Sequence, residues 1–180
     1  MDTLTDLHEA RMPSPSDGGA REVVGTLTFG VGTAADHRLG ASGLLRVDAF
    51  GRFTTTFDGR SYPASYIDSG TETYLLNGDH LPRCRDLAWA YCMEPRRTFE
   101  ARMTGSDGNG TSVRFALGDY QARREGHAGA VDDVAEAAGP QSAAFVWGAP
   151  FFLGRKVTIV VESKEVPSLP GPVGPFYGLD

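Results

Sequence analysis

The sequence lacks an excess of basic residues, and this shortage limits the partners that the protein can have. It contains 17 Lys and Arg against 23 Asp and Glu, which gives a formal net charge of -6 at pH 7. Nucleic acids and anionic membrane surfaces attract proteins through clustered Lys and Arg side chains. We therefore expect neither a nucleic-acid partner nor a membrane partner for this chain.

Long apolar runs are also missing near the start of the chain. Residues 1–19 are polar and include no stretch long enough for a signal peptide or a transmembrane helix. Because this region is rich in Ser, Pro and Gly, we interpret residues 1–20 as a flexible leader before one domain over residues 21–180. As written, the sequence therefore predicts a cytoplasmic protein.

Motifs for nucleophilic chemistry and for metal binding are scarce as well. Ser69 lacks the G-x-S-x-G setting of a serine nucleophile, and no glycine-rich segment continues into the Gly-Lys-Ser or Gly-Lys-Thr of a phosphate loop. Because the histidines have no spacing typical of a zinc site, we expect no metal and no cofactor. These histidines are His8, His37, His80 and His127.

The chain has two cysteines, Cys84 and Cys92, which lie eight residues apart. This spacing suits a small disulfide loop better than a metal site. Two free thiols are the alternative, because disulfides are rare in cytosolic proteins. We expect residues 75–97, which contain both cysteines, to be irregular and in part helical.

Gly, Pro, Thr and Val are abundant, with 23 Gly and 11 Pro. Turn signals recur about every ten residues, which is typical of short strands joined by tight turns. With 41% hydrophobic residues in 180, the chain can bury one real core. We therefore predict a mainly β fold in a single domain.

The apolar pattern also predicts individual elements. We expect a half-buried strand over Val23–Val31, followed by three closely spaced strands over Leu44–Ala49, Phe53–Phe57 and Arg60–Ile67, with a hairpin turn at Asp58-Gly59. Two later strands are expected over Thr98–Met103 and Thr111–Leu117. One or two helical turns are expected over Val131–Ala137, and an apolar core segment over Ala143–Glu162.

The most informative motif is Asp68-Ser69-Gly70, which follows the expected strand Arg60–Ile67. A strand end fixes the backbone of the Asp, the Ser hydroxyl can bond across to a partner loop, and Gly lets backbone amides approach the carboxylate. Asp, Ser and Gly are also common turn residues, so the triplet alone favours an ordinary turn over a catalytic loop.

The surrounding sequence favours a catalytic interpretation. Tyr66 to Thr71 has the form used by aspartic peptidases, with two apolar residues, the catalytic Asp, Ser or Thr, and Gly. Farther along, Val146-Trp147-Gly148 is similar to the apolar-apolar-Gly element that threads beneath this loop in pepsin-like lobes. The chain thus resembles the C-terminal lobe of a pepsin-like aspartic peptidase.

This resemblance implies a fold and a set of site residues. The fold would be a single pepsin-like lobe with a ψ-type arrangement of the active-site loop. Asp68 would be catalytic, Ser69, Gly70 and Thr71 would complete the active-site loop, and Val146, Trp147 and Gly148 would support that loop. The implied ligand is a peptide substrate.

A longer series of segments resembles a bacterial family catalogued as a domain of unknown function, number 3443. The segments that carry this resemblance are Val24–Thr33, Phe53–Gly59, Ile67–Gly70 and Trp147–Arg155, within a region from Val23 to Tyr177. Members of this family look like two-lobed pepsin relatives. The resemblance implies a secreted or periplasmic protein with a disulfide between Cys84 and Cys92.

A second Asp of the same kind is missing from the sequence. Asp17-Gly18, Asp58-Gly59 and Asp107-Gly108 lack the hydroxyl residue and are interpreted as turns. Two carboxyls that share one proton are needed to activate water for peptide-bond hydrolysis. The partner Asp would therefore come from a homodimer or from a missing N-terminal lobe, and an isolated monomer would be inactive. The alternative is a non-catalytic β-domain, or a truncated remnant, that binds extended peptides.

Overall fold

The structure is a computed structural model that describes residues 7–11, 19–29, 43–161, 163 and 174–179. In these residues it has twelve strands and one short α-helix, which confirms the mainly β fold. The elements in chain order are β1 (Leu7–Arg11), β2 (Thr26–Phe29), β3 (Leu44–Arg46), β4 (Phe53–Phe57), β5 (Arg60–Ile67), β6 (Tyr74–Leu76), β7 (Cys92–Thr104), β8 (Gly110–Asp119), α1 (Tyr120–Glu125), β9 (Ala135–Ala137), β10 (Val146–Trp147), a 3₁₀ helix (Ala149–Phe152), β11 (Lys156–Val160) and β12 (Phe176–Leu179).

The strands form two sheets. The smaller sheet has five strands in the order β2-β1-β11-β12-β3, and the larger has seven in the order β8-β7-β4-β5-β10-β6-β9. Strands distant in the chain are neighbours in both sheets, so the fold is stabilised mainly by long-range pairing. In the described part of the chain, no helix has the length and hydropathy needed to cross a membrane.

The first strand differs from the expected flexible leader. Residues 7–11 pair antiparallel with β11 on one side and with β2 on the other. The pairing satisfies backbone N–H and C=O groups along β11, a requirement that the composition of the leader does not reveal. Residues 1–6 and 12–18 of the expected leader lie outside the described residues.

The second strand is shorter and more exposed than the sequence predicts. It covers Thr26–Phe29, and the side chains of Leu27 and Phe29 are 59% and 57% exposed. Among the described strands, β2 comes first in the order of its sheet. The end of the expected strand, residues 30–31, lies outside the described residues.

The strands that lead to Asp68 agree with the sequence-based expectation. β4 and β5 have the predicted bounds, and they pair as an antiparallel hairpin. Asp58 and Gly59 form the turn with φ values of 50° and 73°, as a tight hairpin turn requires. β7 and β8 pair as a longer hairpin than predicted.

The expected helical turns at Val131–Ala137 are wrong. Ala135–Ala137 is instead a strand, β9, that pairs parallel with β6, and the backbone N–H of Tyr74 donates to Val134. Alanine favours helices, but this segment closes the edge of the larger sheet, so tertiary pairing overrides the local preference. The α-helix occurs earlier, over Tyr120–Glu125, where the Asp119 carboxylate accepts the Ala122 N–H at its start.

Aromatic side chains fill the core, and the segment expected at its centre contributes Phe145, Trp147, Phe151 and Phe152. Phe145 and Trp147 are fully buried and stack with ring centroids 4.3 Å apart. The indole N–H of Trp147 donates to the hydroxyl of Thr55 at 3.0 Å, so its polar atom is also satisfied. Phe176 and Tyr177 of β12 are buried as well, and they attach the end of the chain to the body.

Candidate functional site

The candidate site forms where β5 ends at Ile67 and the chain turns toward β6. The short strand β10 lies between β5 and β6, pairing parallel with the first and antiparallel with the second. The loop that joins β5 to β6, residues 68–73, therefore passes over the end of β10. Here the structure brings together the residues predicted as active-site loop and as loop support.

Backbone hydrogen bonds fix this loop to β10 and to the residue that follows it. The N–H of Asp68 donates to the carbonyl oxygen of Trp147 at 2.9 Å, and the N–H of Ala149 donates to that of Thr71 at 2.7 Å. Gly148 lies between these contacts. A Cβ there would lie 2.1 Å from the carbonyl oxygen of Thr73, so only glycine allows this approach.

The Asp68 carboxylate is held on both of its oxygens. Oδ1 accepts the backbone N–H of Gly70 at 2.8 Å, and Oδ2 accepts the hydroxyl of Thr71 at 2.6 Å. The side chain is half-buried, and each oxygen keeps a lone pair for a further donor. Ser69 is exposed, and among the described residues its hydroxyl makes no hydrogen bond. The loop thus presents an oriented carboxylate beside an unused hydroxyl.

Tyr177, in β12, connects this loop to a second turn. Its hydroxyl donates to the carbonyl oxygen of Gly51 at 3.2 Å. Burial raises the pKa of the Tyr177 phenol above its usual range, the nearby carboxylates of Asp48 and Asp68 raise it further, and a backbone hydrogen bond with Ile67 opposes them. Sequence reasoning missed this tyrosine as a site residue, because only the folded sheet places it beside Asp68.

The turn joined by Tyr177 is rigid and displays an aromatic side chain. The Asp48 carboxylate accepts the N–H groups of Phe50 and Arg52 at 2.9 and 2.8 Å. Gly51 has a φ of 75°, and a Cβ there would lie 2.9 Å from the Tyr177 hydroxyl oxygen. Phe50 is 77% exposed, with the guanidinium of Arg52 over one face of its ring. Tyr177 thus links this turn, with its exposed Phe50 ring, to the Asp68 loop.

Cys84 lies in the loop between β6 and β7, and Cys92 is the first residue of β7. They form a disulfide, so the alternative of two free thiols is wrong. The carboxylate of Asp119 lies near both sulfurs, and these three residues resemble a metal-ligand set. Sulfurs joined in a disulfide offer no thiolate to a metal, and Asp119 already starts α1 as its capping residue.

A buried carboxylate that the sequence did not single out lies at the edge of the larger sheet. Asp133 is 1% exposed and accepts two hydrogen bonds from the Arg123 guanidinium, at 3.0 and 2.7 Å. Arg96 donates a third at 3.0 Å and also pairs with Asp132. Asp132 and Asp133 lie in the segment that was expected to form helical turns, and nothing local in the sequence marks Asp133 as buried.

A cavity of about 580 Å³ lies behind the Asp68 loop. Glu72 and Thr73 of the loop border it together with Ala149, and the helix α1 contributes Arg123 and Arg124. Its walls combine charged side chains with apolar ones.

Comparison with known proteins places the chain in a family. A family model described as Protein of unknown function (DUF3443) matches residues 10–178. The chain belongs to the DUF3443 family. This DUF3443 match includes Asp68, its loop and β10, so the whole candidate site lies inside the matched residues. No curated protein matches the sequence.

Proposed function

We propose that this DUF3443 chain carries one half of an aspartic-peptidase-type site, in which Asp68 is one member of a pair of catalytic carboxyls. The single observation that carries the proposal is the Asp68 carboxylate itself, held by Gly70 and Thr71 at the end of a strand. In this proposal the chain is a single pepsin-like lobe, and the insertion of β10 between β5 and β6 is its ψ-type loop arrangement.

The held carboxylate supports this function because of what peptide-bond hydrolysis demands. Two carboxyls close together cannot both ionise, so they share one proton. One then takes a proton from the attacking water while the other protonates the carbonyl oxygen. The hydrogen bonds to both oxygens of Asp68 hold its carboxyl in position for its partner carboxyl. This lowers the entropic cost of orienting the catalytic group in the reaction.

The partner carboxyl would come from a second copy of this chain or from an N-terminal lobe. The exposed side chains of Leu27 and Phe29 on the edge strand β2 support such an association, because a partner would cover them. An isolated monomer would then be inactive. The disulfide supports the proposal of a secreted or periplasmic protein, since disulfides persist in oxidising compartments.

The proposed substrate is an extended peptide. Phe50 supports this choice, because the turn fixed by Asp48 displays it beside the loop without burying it in the core. The alternative function is a non-catalytic β-domain that binds extended peptides along a strand edge. The position of β2, first in the order of the described strands of its sheet, favours this alternative, because a strand can be added to a sheet at its edge.

Cleavage and oligomeric state test the proposal together. Purified wild-type protein, Asp68→Asn and the control Asp79→Asn would be incubated with fluorescently labelled casein from about pH 3 to 7, where a carboxyl pair is active. Asp79 is an exposed aspartate outside the loop. Sedimentation velocity would be measured at the same protein concentrations.

We expect the wild type and Asp79→Asn to cleave casein. Their cleavage rates should rise more steeply than in proportion to protein concentration, because dimers form as the concentration increases. Asp68→Asn should cleave casein at least about a hundredfold more slowly than the wild type, because the amide cannot act as a base. A monomer that cleaves nothing at any concentration contradicts catalysis by this chain alone. If that monomer still binds the casein peptides, the binding alternative is supported.

A further inference from the structure

Three guanidinium groups converge on a cavity of about 400 Å³ that is separate from the Asp68 loop. The cavity lies between the β7–β8 hairpin and the segment that follows the 3₁₀ helix. Its charged residues are Arg96, Arg114, Arg155 and Asp132, and Tyr74 and Thr98 add hydroxyl groups. The positive charges outnumber the negative ones here, although the whole chain has a net charge of -6.

The acidic side chains near this cavity already form ion pairs with arginines. Asp132 accepts the Nη2 donor of Arg96 at 3.0 Å. The buried Asp133 accepts from Arg96 and from Arg123. The carboxylates of Asp132 and Asp133 thus neutralise the guanidinium groups of Arg96 and Arg123, and they do not pair with Arg114 or Arg155.

Arg155 is the third guanidinium group of this cavity. Its guanidinium is half-buried and donates to the backbone carbonyl oxygens of Phe151 and Arg114, while the Phe151 ring lies 4.7 Å away. Within the described ranges, no carboxylate pairs with it. Carbonyl oxygens satisfy its hydrogen bonds but do not cancel its charge, and a charge removed from water without a partner is unfavourable.

Arg114 adds a second accessible guanidinium at the mouth of the cavity. Its side chain is 81% exposed, and its contact with Glu100 is an exposed ion pair with an N–O distance of 3.7 Å. Exposed pairs of this kind are weak, so the Arg114 guanidinium can turn toward a ligand at little cost. The Thr98 hydroxyl lies on the same wall.

We propose that this cavity binds an oxyanion, a carboxylate or phosphate group, between Arg155 and Arg114. Guanidinium groups hold such planar or tetrahedral oxygen ligands through paired, charge-assisted hydrogen bonds. The bound group supplies a counter-charge to Arg155. The site uses neither Asp68 nor its loop, so it is independent of the proposed peptidase function.

Titration of the isotope-labelled full chain with small anions tests the site. Sodium phosphate, sodium acetate and sodium chloride would be added at matched ionic strength, and backbone amide shifts at Gly154 and Arg155 would be followed by NMR. Arg114→Gln removes an exposed partner and should leave the fold intact. Arg155→Gln removes the central cation. Arg102→Gln, an exposed arginine of β7 that does not border the cavity, is the matched control.

We expect saturable shifts with phosphate or acetate, and none with chloride. A response to phosphate alone identifies a phosphate group as the ligand, and a response to acetate identifies a carboxylate; both support the site. Arg114→Gln should weaken binding about tenfold, the usual effect of losing one charge-assisted hydrogen bond. Arg102→Gln should bind like the wild type. Shifts that do not saturate, or equal affinity in Arg114→Gln and the wild type, overturn the proposal.

Discussion

Gly148 and Thr73 approach each other so closely that a methyl group on the first would lie 2.1 Å from the carbonyl oxygen of the second. The same methyl group would lie 2.5 Å from the carbonyl oxygen of Thr71. Both contacts are with backbone atoms, which cannot rotate away as a side chain can. The strand β10 therefore fits beneath the Asp68 loop only if glycine follows it.

Gly148→Ala should lower the free energy of unfolding by about 3 kcal/mol or more, because overpacking here must displace backbone. Urea denaturation followed by tryptophan fluorescence would measure the change. Gly139→Ala is the matched control, since a Cβ there meets nothing within 4 Å and the position has no left-handed φ. Equal stability of the two variants would show that the loop adjusts freely.

The buried carboxylate gives a second prediction. Asp133→Asn should cost about 3–5 kcal/mol of stability, because Arg123 and Arg96 would lose a carboxylate partner inside the protein. Asp132→Asn should cost less than about 1 kcal/mol, because Asp132 is about a third exposed and makes one ion pair. Thermal and urea unfolding of both variants would measure the difference, and similar losses would contradict the assigned roles.

The disulfide gives a third prediction. Reduction of the Cys84–Cys92 bond should lower the free energy of unfolding by about 2–3 kcal/mol, the entropy gained by opening a short loop in the unfolded chain. Urea midpoints with and without dithiothreitol would measure this loss. The double variant Cys84→Ser/Cys92→Ser should show no response to the reductant; a response would mean that the reductant acts elsewhere.

The buried tyrosines predict how stability changes in alkali. Burial raises the pKa values of Tyr62, Tyr74 and Tyr177 above the ordinary 10.0 of the phenol. A tyrosine whose pKa is higher in the folded protein than in the unfolded chain stabilises the folded protein. This contribution is complete below pH 10.0, the ordinary pKa of the phenol, and is lost as the pH rises through the pKa of the folded state. The free energy of unfolding should therefore fall above about pH 10.

Urea denaturation at steps between about pH 8 and 11 would measure this fall. Tyr177→Phe removes one of the raised groups, so its stability should fall less steeply with pH than that of the wild type. An identical slope in the variant would mean that Tyr177 titrates normally in the folded protein.

Local patterns predicted the strands that lead to Asp68, because β4 and β5 form one hairpin with a turn that the sequence specifies. They failed at β1 and β9, which exist because another strand offers unpaired backbone groups beside them. Such a pairing depends on residues far away in the chain. Composition alone therefore suggested a flexible leader and a helical turn at these two positions.

The residues of the candidate site fall into the same two groups: those that the local sequence predicts and those that depend on distant residues. Asp68, Gly70, Thr71 and Gly148 were predicted because each belongs to a motif that is continuous in the sequence, although the contact of Gly148 with the loop joins distant segments. Tyr177 was not predicted, and neither was the buried ion pairing of Asp133 elsewhere in the fold, because each gains its role from partners on other elements. Their residue types and neighbours in the sequence are ordinary, and only the folded arrangement distinguishes them.

The position of β10 has a consequence for the order in which the protein forms. Asp68 leaves the ribosome well before Trp147, whose carbonyl oxygen later holds the Asp68 backbone. Domains form as units once their long-range contacts are available, and such contacts are slow to close. A nascent chain that has exposed only its first hairpins therefore displays Asp68 before β10 can bind its backbone. The Asp68 loop reaches its folded position only after Trp147 and Gly148 have been synthesised.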